Sequence, residues 1–146
     1  MVTLLRSVWV WAGLLTLSVI GRDTLDWWLS PTDEFYARSV VSTAVAVGIF
    51  AGAGMWTASR SRSVRAGVRA GFATGLTAAV AINLISLATL AAWHDPHTMA
   101  MIKASGGLEE VFLLPLMVVV PGTMCATAGA AIGKMLAWSL QSRFAQ

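Results

Sequence analysis

Charge is scarce in this chain: only 12% of its 146 residues are Asp, Glu, Lys or Arg, where a soluble domain carries about a quarter. A soluble fold of this length needs far more polar surface than these residues supply. With 57% of residues hydrophobic, the composition points to lipid as the solvent. A single cysteine, Cys125, excludes an intramolecular disulfide. It falls inside an apolar run and reads as inert packing. Only two histidines occur, His94 and His97, both outside the apolar runs. A bis-histidine haem between helices is therefore excluded. None of the seven acids lies inside an apolar run, which counts against proton-coupled transport, since that chemistry places a carboxylate at membrane depth. A Gly-rich phosphate loop and a serine or cysteine triad are also missing, and no cofactor is expected.

What is present is a series of apolar stretches divided by charges. Fifteen uncharged residues lie between Arg6 and Arg22, 21 between Arg38 and Arg60, 24 between Arg69 and His94, and 23 between Glu110 and Lys134. Crossing the hydrocarbon core takes about 20. The last three stretches qualify outright. The first has a signal peptide as its rival reading, but Ser18-Val19-Ile20-Gly21 is a poor cleavage site. Arg6 and Arg22 can also snorkel to the two interfaces and lengthen the usable span. The chain is accordingly expected to be an all-α integral membrane protein. Residues 1–146 form one domain, a bundle of four transmembrane helices over about 4–21, 32–58, 67–92 and 108–138.

The connecting charges set the expected orientation. Arg6 precedes the first helix. The first loop carries Arg22 and Arg38 against Asp23, Asp26, Asp33 and Glu34; the second carries Arg60, Arg62, Arg65 and Arg69 with no acid. The third holds Lys103 against Asp95, Glu109 and Glu110, and the tail has Lys134 and Arg143. Basic residues of short loops stay in the cytoplasm. Both termini are therefore expected on the cytoplasmic side of the cell (inner) membrane. The Ser59–Arg65 run then reads as a topology signal touching lipid headgroups, and a nucleic-acid partner is not expected. Trp27, Trp28 and Trp93 form the outer aromatic belt, and Trp9, Trp56 and Trp138 the inner one.

Local chemistry refines the ends. Ser30-Pro31-Thr32-Asp33 has the pattern of a helix start. Asp95-Pro96 opens, and Gly106-Gly107 closes, a short helix near 96–105 expected to lie along the extracytoplasmic interface. Pro115 and Pro121 each remove a backbone donor, freeing carbonyls near Val111 and Met117, so the fourth helix should be kinked.

Small residues recur every four positions: Ala44, Gly48 and Gly52; Gly67, Gly71, Gly75 and Ala79; then Ala126 and Ala130 beside Gly129 and Gly133. That spacing stacks them on one helix face, where two backbones approach and gain dispersion contacts lipid cannot match. The sequence leaves open whether these faces meet within one chain or between chains.

The first functional expectation is a non-enzymatic multi-pass subunit, bound to the bilayer and to other membrane subunits or to itself. The alternative is a small transporter or channel, its path lined by helices two to four near Asn83, Thr77 and Ser86. Asn83 lies at mid-membrane, where an amide must face protein or water; an interhelical hydrogen bond is its simpler role. A weaker alternative is copper handling on the outer face by His94, His97, Met99 and Met101, since imidazole and thioether suit that metal.

Overall fold

The computed structural model describes residues 2–29, 35–93, 95–104 and 107–144. They form α1 (Val2–Leu29), α2 (Phe35–Ser61), α3 (Val64–Ala92), α4 (Pro96–Ala104), α5 (Leu108–Met117) and α6 (Val119–Phe144), with no strand among the described residues. Three stretches are long and apolar enough to cross a membrane: Ser39–Ser61, Val64–Ala92 and Val111–Ser139. Their outward faces are apolar too, with Leu84, Met117, Val120, Met124 and Met135 all exposed. Apolar surface on this scale fits a lipid surround.

The helices run longer than the apolar stretches alone suggest. Helix α1 continues past residue 21, through Arg22 and Asp23, to Leu29. Side chains one turn apart hold this extension: Arg22 Nε donates to Asp26 Oδ2 at 3.2 Å, and Thr24 Oγ1 to the Ile20 carbonyl at 2.7 Å. The Ser30–Asp33 helix start lies outside the described residues, and α2 is described from Phe35.

Between α2 and α3 only Arg62 and Ser63 are non-helical. Arg60 belongs to the last turn of α2, its guanidinium 4.1 Å from the centre of the Trp56 ring. Ser63 caps α3, its hydroxyl accepting from the Ala66 N–H at 3.4 Å. Arg62 pays for this tightness with a left-handed backbone, φ 55°. Both Arg62→Gly and Arg62→Ala lose the guanidinium and its stem, so comparing them isolates the cost of a Cβ on this backbone. The glycine variant should resist detergent unfolding better by about 1 kcal/mol; equal stabilities would contradict a left-handed residue there.

Asp95 opens α4 with both carboxylate oxygens: Oδ1 accepts from Thr98 Oγ1 at 2.6 Å and Oδ2 from the Thr98 N–H at 3.3 Å. Gly107, φ 90°, ends it by donating its N–H to the Ile102 carbonyl at 2.8 Å. A side chain would be strained at that angle. Helices α5 and α6 are divided at Val118, between the two prolines. Pro121 has no N–H for the Met117 carbonyl, which interrupts the ladder there. Val118 nonetheless keeps a right-handed helical backbone, and its N–H reaches the Leu114 carbonyl at 3.1 Å.

Helices α2 and α3 touch each other, and each touches both α1 and α6. They form the middle of the bundle, with α5 leaning on α3. Ala12, Leu15, Phe50, Ala78, Ile82 and Ala126 make the core. Antiparallel packing gathers Arg6, Arg60, Arg62, Arg65, Arg69 and Lys134 at one end of the bundle with no acid. The described acids Asp23, Asp26, Asp95, Glu109 and Glu110 lie at the other.

Candidate functional site

The densest feature is a junction where α2, α3 and α6 meet through glycine and alanine. On α3 the row Gly67, Gly71, Gly75, Ala79 and Asn83 advances four residues at a time. Such a row slopes gently around the helix and forms one of its natural packing ridges. A Cβ built on Gly67 would strike Ala130 Cβ and fall 2.7 Å from the Gly54 carbonyl oxygen. On Gly71 it would strike Ala126 Cβ, and on Gly75 it would lie 3.0 Å from the Phe50 ring. The same ridge thus faces Ala130, Ala126 and Phe50 in turn.

Between α2 and α6 the backbones themselves are in contact. A Cβ on Gly54 would strike the Ala126 carbonyl oxygen and lie 2.8 Å from its carbon. One on Gly129 would strike the Ala51 carbonyl oxygen, and one on Gly133 that of Met55. The Phe50 ring, 1% exposed, fills the notch left by Gly75 and Gly122. The α2 residues used here are Phe50, Gly54 and Ala58, not the Ala44, Gly48 and Gly52 row picked out by spacing. The two rows differ by two positions, a rotation of about 200°, so they lie on nearly opposite faces. Gly52 instead sits under Trp11 of α1, 2.9 Å from where its Cβ would be. Gly48 meets nothing within 4 Å, and Ala44 is exposed.

Phe50, Gly54 and Gly122 escaped the sequence reading. Gly54 stands out of register with its neighbours Gly48 and Gly52, and Phe50 carries no small-residue signal. The pairing of one aromatic with two glycines on other helices appears only once those helices are side by side.

Asn83 closes the α3 row. Its Nδ2 donates to the Phe112 carbonyl of α5 at 3.2 Å, while its Oδ1 is buried with no hydrogen-bond partner. Interhelical bonds of this kind contribute about 0.6 kcal/mol on average, up to about 2. Thr77 and Ser86 are half-buried. At 100° per residue they lie on opposite sides of α3; Ser86, three residues on from Asn83, shares its face, and Thr77 does not.

At the acidic end, the Asp23 carboxyl is raised to about 6, because neighbouring protein atoms strip water from it more effectively than the Arg22 charge offsets; Asp26 pushes the same way. Much of the Asp23 residue stays accessible, where solvent screens its charge. Of the four copper candidates, only Met99 has a described side chain, and it is exposed. His94 and the side chains of His97 and Met101 lie outside the described residues. Asp95 beside them is engaged as the α4 cap.

No family model matches this sequence, and no curated protein or solved structure is similar to it.

Proposed function

We propose that this chain is a four-span, non-catalytic membrane subunit that docks against another membrane helix through the α2 face bearing Ala44 and Gly48. The partner is either a different subunit of a larger complex or a second copy of this chain. One observation carries the reading. Gly54, Gly67, Gly71, Gly75, Gly122, Gly129 and Gly133 all have neighbours where a Cβ would go, while Gly48 of α2, like Gly13 and Gly21 of α1, faces open space. A glycine on an outward face gains nothing from lipid but admits a partner backbone.

In this reading α1 is the fourth crossing. Trp11 seated on Gly52 supports it, as do Arg6 and Arg22 at either end of the apolar stretch. The end with the arginine turn is cytoplasmic in the cell (inner) membrane, and α4 lies on the extracytoplasmic interface.

The transporter reading has an observation of its own: Ser7 Oγ, Thr57 Oγ1, Thr74 Oγ1 and Asn83 Oδ1 are buried without hydrogen-bond partners. A water-filled path would have to unite them. Thr74 and Asn83, however, lie on opposite sides of α3, and this reading stays second.

The test is gentle native extraction followed by mass spectrometry, on the parent protein and Gly48→Leu. The expected result is a stoichiometric complex or defined homo-oligomer that the substitution dissociates, with the bundle itself still folded. A parent protein that emerges as a lone monomer, or an assembly indifferent to Gly48→Leu, would overturn the proposal.

A further inference from the structure

A second surface lies at the opposite side of α6, where that helix passes the start of α3. Val64, Ala131, Lys134, Met135 and Trp138 line an open groove of about 290 Å³. Its walls are apolar apart from one ammonium group, that of Lys134. Trp138 is 78% exposed and Met135 70%, so two large apolar side chains stand over the groove with nothing among the described residues covering them. The groove belongs to the basic end of the bundle. Val64 follows directly on the Arg60–Ser63 turn, and Arg65 is the next residue. Neither residues 59–69 nor residues 119–144 contain an acid.

Those features specify an amphiphile with one negative charge at its polar end. We infer that this groove holds a single anionic phospholipid. Its acyl chain lies along Val64, Ala131, Met135 and Trp138, and its phosphate is paired with Lys134 at the mouth. Two facts favour a lipid over a partner helix. The rim is a flexible lysine with a tryptophan of the type that sits at headgroup depth. The field around it is uniformly positive, which attracts anionic headgroups and gives zwitterionic ones, with no net charge, little attraction. Lysine is also suited to this task, because it binds phosphate as a point charge on a long apolar stem that itself packs along the groove.

The inference rests on membrane placement but not on the subunit proposal. Bound lipid and co-purified protein appear as separate masses, so either can fail without the other.

The experiment is native mass spectrometry of the full chain released from nanodiscs of equal parts phosphatidylglycerol and phosphatidylcholine. One phosphatidylglycerol per chain is expected to survive, in clear preference to phosphatidylcholine. Lys134→Gln should lower its retention about fivefold, the effect of one basic side chain at a membrane surface. Ala131→Phe fills the groove floor and should displace the lipid. Ala88→Phe, a substitution at an exposed position near the far end of α3, should not. Gel filtration establishes that each variant is folded. Equal retention of the two lipids, or retention unchanged by both Lys134→Gln and Ala131→Phe, would overturn the inference. So would loss of the lipid in Ala88→Phe as readily as in Ala131→Phe.

Discussion

Replacing Gly54 by leucine is expected to abolish the folded bundle, whereas the same change at Gly48, six residues earlier on the same helix, leaves it intact. The reason is what each new side chain meets. At Gly48 there is open space. At Gly54 the Cβ alone would strike the Ala126 carbonyl oxygen and lie 2.9 Å from its Cα. Overpacking a core costs about 1–3 kcal/mol when neighbouring side chains can turn aside. A peptide group inside a helix cannot turn aside. Helix α2 would have to withdraw from α6, and the contacts of Gly129 with Ala51 and of Gly133 with Met55 would open with it. Gly54→Ala should therefore already cost about 3 kcal/mol, the top of that range, and leucine should exceed what the bundle tolerates. The measurement is the fraction of folded monomer by gel filtration and the midpoint of SDS unfolding. If Gly54→Leu and Gly48→Leu behave alike, the α2–α6 contact described here is wrong.

Phe50→Ala should be nearly as damaging, at about 3–5 kcal/mol. The ring is the largest fully buried side chain among the described residues, and it closes against glycines on two other helices. Removing it leaves a void that α3 and α6 can fill only by abandoning their ridge contacts. Gly122→Ala alone should cost about 1–3 kcal/mol, since its Cβ would fall 2.6 Å from Phe50 Cε1. Once the ring is gone that methyl group has room, and it occupies part of the void. The double variant should therefore be more stable than the sum of the two losses implies, with a coupling of at least about 1 kcal/mol. Strict additivity in the cycle would show that ring and glycine do not share the notch.

These two results concern residues on which the sequence was almost silent, and the contrast with α3 shows why. On α3 the row Gly67, Gly71, Gly75 and Ala79 was legible, because four-residue spacing is a property of one helix and needs no partner to be seen. Asn83 was legible for a similar reason: an amide in a long apolar run must find an acceptor wherever the helix lies. The topology of charge was legible as well, since arginines crowd one loop and acids the others whatever the packing.

What the sequence by itself determined was the all-helical architecture, the membrane-length apolar stretches and the segregation of charge, all of which follow from local periodicity and solvent preference. The short helix between Asp95 and Gly107 belongs here too, because its cap and its stop are written in neighbouring residues. The tertiary structure decided which face of α2 is inside. Both Gly48 and Gly54 lack a side chain, so no local energy distinguishes them; only the place of α6 against Ala51, Gly54 and Met55 does. It also decided that Asn83 reaches Phe112 and that Lys134 stands beside Val64 at the mouth of a groove. Those pairings join residues far apart in the chain, and a contact between two helices depends on their relative rotation and depth, which neither helix encodes alone.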